Sequence, residues 1–84
     1  MRFERVNEPL AWIEARFEKG AVSPLRFGWR RREFDVVATN ARWVDRESRP
    51  VRYCFSVTVR SGEICELAHV AGDALWYVTG VAVD

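Results

Sequence analysis

Apolar residues recur at every second position along most of this chain, the spacing of strands with one buried face. Leu25, Phe27 and Trp29 alternate with Arg26, Gly28 and Arg30, and Tyr53, Phe55, Val57 and Val59 with Cys54, Ser56, Thr58 and Arg60. Branched and aromatic side chains fill these positions and suit a pleated, half-buried surface. Turn-forming residues fall between the runs, at Lys19-Gly20, Ser48-Arg49-Pro50, Ser61-Gly62 and Gly72-Asp73.

Pairing arithmetic joins the runs into one sheet. A hairpin closed over Arg31-Arg32 sets Trp29 against Phe34, Phe27 against Val36 and Leu25 against Ala38, with Arg30 facing Glu33. That turn lacks the Gly or Asn that positive φ demands, so either the loop opens to four residues or Arg31 is strained. A three-residue loop with a left-handed Gly62 sets Val57 against Cys65 and Phe55 against Leu67. The run from Leu75 to Val83 returns over Gly72-Asp73 and sets Val78 against Leu67.

The stretch NEPLAWIEARFEKG is ambiguous. Asn7 as a cap, Pro9 in a first turn and Leu10, Ile13 and Phe17 on one stripe fit a helix. As a strand with a Glu18-Lys19-Gly20 loop it pairs Ile13 with Leu25, Ala11 with Phe27 and Phe17 with Ala21, the faces the next hairpin already uses. We favour the strand. The expectation is an all-β fold of about six antiparallel strands in meander order, forming a small barrel or curled sheet.

Length keeps this to one domain, residues 1–84. So short a chain buries only about 60–65% of its unfolded surface, and the four tryptophans supply much of what it can bury. With 49% hydrophobic and 30% charged residues the composition is globular, and without an apolar run of membrane length or a signal-like start the expected location is cytoplasmic. Net charge is +1, unevenly placed: residues 26–60 hold nine Arg against four acids, and residues 61–84 hold four acids and no Lys or Arg.

Little in the chain points to catalysis. There is one histidine, His69, and Asp73 beside it falls in a turn. A zinc site would need Cys54, Cys65 and His69 to converge, but the loop at Gly62 sends the two cysteines to opposite faces. Neither a metal nor a cofactor is expected.

The stretches EPL, SPLRFGWRRREFDVV, RWVD and ICELAH…LWYVTGVAVD together resemble the DUF6504 domain, from about Glu8 to Asp84. That resemblance implies a small domain found free-standing or at the C-terminus of Y-family DNA-polymerase-like proteins, in the setting of DNA damage tolerance and without an assigned activity. Two positions depart from the pattern: Arg31 stands where the family has Gly in W-R-G-R, and Val83 where it has a closing Tyr.

Function is expected in surface contact. Arg26, Arg30, Arg31 and Arg32 cluster at a hairpin end and Arg42 follows, suited to phosphates or to an acidic partner face. Trp12 falls on the face opposite Ile13 in the favoured register, and Trp43 is the other tryptophan open to contact. These seven residues are the expected binding set of a non-enzymatic, protein–protein docking module that spans no membrane. Single-stranded nucleic-acid binding through the Arg-rich hairpin is the alternative.

Overall fold

The computed structural model describes residues 2–83 as seven strands: β1 (Arg2–Pro9), β2 (Trp12–Glu18), β3 (Ala21–Trp29), β4 (Arg32–Asp45), β5 (Arg52–Val59), β6 (Ile64–Val70) and β7 (Trp76–Val83). All pair antiparallel in one sheet of order β1-β7-β6-β5-β4-β3-β2 that is not closed. The meander holds from β2 to β7. The strand beyond the expected six is β1, which lies on the far edge beside β7. The ambiguous stretch is extended, not helical: Leu10 and Ile13 reach the core, while Trp12 and Phe17 stay exposed.

The sheet bends into two halves. Residues Arg32–Asp35 of β4 pair only with β3, and from Val36 onward β4 pairs only with β5. At the other end, Leu10 N–H donates to Trp76 O and Ala11 N–H to Gly28 O, both at 2.8 Å, carrying the chain from the β7 half to the β3 half. Between the halves Phe27, Trp29 and Phe34 meet Phe55, Val57, Leu67, Trp76 and Val78 in one core. Phe27 and Phe34 stack at 5.0 Å, and Phe55 and Trp76 at 5.4 Å.

Registers follow turn chemistry. Over Gly62 (φ +95°) Val57 faces Cys65, Phe55 faces Leu67, and Leu67 faces Val78 beyond. The two N-terminal hairpins correct the pairings expected from the apolar pattern. Each is closed by two residues with positive φ, Lys19 (52°) with Gly20 (78°), and Arg30 (52°) with Arg31 (62°). Such turns match the right-handed twist of the flanking strands better than a longer loop does. Trp29 therefore faces Arg32, Phe27 faces Phe34 and Gly28 faces Glu33, and on the other side Ile13 faces Phe27 and Phe17 faces Val22. The shift is even across the Arg hairpin, so the inner face keeps its aromatic residues.

Leu25 is a second correction, because it is 37% exposed and not part of the core. The β2–β3 register slips between Glu14/Arg26 and Ala15/Pro24, leaving Leu25 as the extra residue of a bulge. Pro24 has no N–H to give a ladder, which makes this the natural place for the irregularity.

Two glycines let aromatic rings lie flat on the outer surface. A Cβ at Gly28 would overlap the Trp12 indole, and one at Gly80 the Phe3 ring. Trp12 lies directly across from Gly28, and the Arg26 guanidinium lies 5.5 Å from its ring centroid. Each ring covers backbone that its glycine leaves bare. Gly28→Ala is expected to cost about 1–3 kcal/mol in urea denaturation, and Trp12→Ala in the same chain to recover part of that cost. Strictly additive losses would mean that the ring does not occupy the glycine's face.

Candidate functional site

The arginines expected to contact a ligand are largely engaged within the protein. Arg26 Nε donates to Asp35 Oδ1 at 3.0 Å and Nη2 to Glu33 at 2.6 Å, with Glu14 at 3.6 Å. Arg30 grips Glu8 with both ends of its fork, Nε to Oε1 at 3.0 Å and Nη2 to Oε2 at 2.6 Å. The same Glu8 Oε1 accepts from Trp29 Nε1 at 3.0 Å, and the Arg30 guanidinium lies 4.4 Å from the Trp29 ring centroid. Hydrogen bonding to Arg30 holds the Glu8 carboxyl below its ordinary range, and Glu8 raises Arg30 in return. Asp35, with Glu33 and Glu14, likewise raises Arg26.

Arg32 reaches Glu63 only at 3.9 Å and lies over the Phe34 ring. Arg31 is exposed and makes no hydrogen bond or ion pair among the described residues. The depression of about 310 Å³ beside this hairpin is walled by Arg32 and Arg60 but also by Glu33 and Asp35. Anions gain little there, since each cation has an acid within reach.

A larger cleft of about 500 Å³ opens where β3 and β4 part company. Their ladder ends at Arg26 and Asp35, and beyond it the β2–β3 hairpin and the second half of β4 diverge. Phe17 and Val22 form one wall, and Arg42, Trp43 and Val44 the other. The floor is a stack running out of the core: His69 lies on Trp76 at 4.9 Å and 13°, and Trp76 on Phe55. Tyr53 completes it, 6.4 Å from His69. Four of these apolar groups stay open to solvent, Phe17 at 75%, Tyr53 at 45%, Trp43 at 40% and Val44 at 38%.

Arg42 bridges the walls. Its Nη2 donates to Ser23 Oγ at 2.9 Å and its Nε to Val22 O at 3.4 Å. Both acceptors are neutral, and among the described residues no Asp or Glu lines the cleft. His69 Nε2 lies 2.8 Å from the Asp73 carbonyl oxygen, which accepts a hydrogen bond from it, while the Asp73 carboxylate accepts from Leu75 N–H at 3.0 Å. That carboxylate is therefore spent on the turn and is not aligned behind the imidazole. Cys54 and Cys65 are both buried and free, on opposite faces, and burial pushes the Cys65 thiol up to about 11. Among the described residues, no three His, Cys, Asp or Glu side chains come together as metal ligands.

Of the seven residues singled out in the sequence, only Arg42 and Trp43 share this cleft; Arg26, Arg30, Arg31, Arg32 and Trp12 lie elsewhere. Phe17, Tyr53, His69 and Trp76 were not in that binding set. Phe17 carries a readable signal, an aromatic residue two positions before a Lys-Gly turn, where few neighbours can cover it. Comparisons of the chain with protein-family models, with curated proteins and with solved structures find no match.

Two outcomes test the hairpin's wiring. The Glu8 carboxyl is depressed in the folded state, so the stability it lends is present above its ordinary value of 4.5 and is lost as pH falls through the folded value. Glu8→Gln should lower the melting temperature at neutral pH and flatten its acid dependence; an unchanged acid limb would show that the pair contributes nothing. Arg31 holds a left-handed conformation that glycine adopts freely. Arg31→Gly should therefore stabilise the fold by roughly 1 kcal/mol in urea denaturation, and a loss would mean that the side chain makes a contact of its own.

Proposed function

We propose that this protein is a non-enzymatic docking module for a protein partner, acting in the cytoplasm, and that the partner seats in the cleft between β3 and β4. One observation carries the reading: Phe17, Trp43, Val44 and Tyr53 stay exposed around a concave apolar site while the hairpin's arginines are mostly paired internally. Binding energy at protein interfaces concentrates in aromatic and arginine residues that lose their water in such a pocket. Surface ion pairs of the hairpin type are individually weak, so they shape the turn more than they drive association. The resemblance to the DUF6504 domain supports a partner from the DNA damage tolerance machinery, with polymerase-related proteins the first to test.

Single-stranded nucleic acid is the second reading, and Arg31 is what favours it, because that guanidinium is exposed and free of acids among the described residues. Phosphate contacts weaken steeply with salt, whereas an apolar cleft holds its ligand as salt rises. Affinity capture from a native bacterial lysate should yield a partner that is retained by Arg31→Glu and lost by Tyr53→Ser or Trp43→Ser. Tight, salt-sensitive quenching of tryptophan fluorescence by a thymidine oligonucleotide, abolished by Arg31→Glu, would replace this reading with the second.

A further inference from the structure

The chemistry of the cleft narrows what can occupy it, on the reading that it is a docking site. Its walls and floor are largely aromatic and aliphatic, the charged side chain that crosses it is Arg42, and among the described residues no acid lines it. Ser23 and Val22 hold the Arg42 fork through neutral oxygens, leaving its charge unmatched within the site and several of its five donors free. An apolar ligand alone would leave that charge without a partner. A ligand carrying a carboxylate beside an apolar group would satisfy both.

The backbone around the cleft supplies the second constraint. From Val36 to Asp45, β4 pairs with β5 on one side, and among the described residues no ladder covers its other side. Val37, Ala38, Asn40, Ala41, Arg42, Trp43 and Val44 are correspondingly exposed. Open strand edges take up extended peptides, with main-chain hydrogen bonds giving affinity and alternate side-chain pockets giving selectivity. A nucleic acid strand has no N–H and C=O ladder to offer such an edge, and Arg42 alone would be a sparse contact for its phosphates.

We infer that the cleft takes an extended peptide segment in which an aromatic or aliphatic side chain stands next to a carboxylate. The segment adds to the open edge of β4, its apolar side chain enters between Phe17 and Tyr53, and the carboxylate, from Asp, Glu or a chain end, meets Arg42. Arg42 selects the carboxylate, and the aromatic floor provides the affinity.

Panning a random-peptide display library, with free and blocked C-termini in separate pools, against the wild-type protein tests this. Selected sequences should pair an apolar residue with a neighbouring Asp or Glu, or with the free terminus in the unblocked pool. In solution, converting the carboxylate of a selected peptide to its amide should weaken binding about tenfold, the size of a lost charge-assisted hydrogen bond. Arg42→Gln should erase that difference between acid and amide peptides, and this exposed substitution is checked for folding by circular dichroism. Amide hydrogen exchange along Val37–Val44 should slow when peptide binds.

Selection of apolar sequences without acids, bound equally by wild type and Arg42→Gln, would overturn the carboxylate inference while leaving docking at the cleft intact. Binding without slowed exchange in β4 would overturn strand addition. No selection that depends on Trp43 or Tyr53 would overturn the docking reading itself. A thymidine oligonucleotide that binds the cleft with the same Arg42 dependence would show that the anion is a phosphate, and the peptide inference would fail.

Discussion

Glu8 ties the two halves of the sheet together. It sits near the end of β1, in the half that carries β7, and its carboxylate accepts from Trp29 and Arg30 at the tip of the hairpin in the other half. Trp29 in turn packs on Phe34 at 6.1 Å. One acidic side chain thus holds an indole whose ring belongs to the core and whose N–H would otherwise need another acceptor. The neighbouring Leu10–Ala11 link reinforces the same junction through its two backbone hydrogen bonds. A chain of this size has little core to spare, so the angle between its halves rests on a few such junctions.

From that constraint the cleft follows. With the halves joined at the Glu8 end, β3 and β4 stay paired near the Arg30-Arg31 turn and diverge away from it. Their divergence uncovers the edge of β4 and the stack of Phe55, Trp76 and His69. The same stack is core at one end and the floor of the cleft at the other.

The arginine-rich composition serves two physically different ends. At the hairpin the Arg30 and Arg32 guanidinium groups lie over Trp29 and Phe34 and face acids, flanking a turn whose φ values disfavour arginine. Left-handed φ costs a non-glycine residue about 1–2 kcal/mol, and the surrounding contacts keep the conformation in place. In the cleft, Arg42 meets only neutral acceptors.

Alternation alone determined that the chain is all-β, that its strands run antiparallel in sequence order from β2 onward, and that Phe27, Trp29, Phe34, Phe55, Val57, Leu67 and Val78 share an inner face, because side-chain direction in a strand depends only on parity. It also sufficed for the register over Gly62, where a glycine marks the left-handed position. The turn at Arg30-Arg31 carried no such mark, and the Glu8 that grips Arg30 lies far away in sequence. Leu25 read as core because a bulge is invisible to a count of alternate residues. β1 escaped notice because its outward Phe3 finds its purpose only on Gly80 of a strand at the other end of the chain. The cleft, too, belongs to tertiary structure: it exists because two neighbouring strands separate, and separation is a matter of sheet twist and packing that no local pattern encodes.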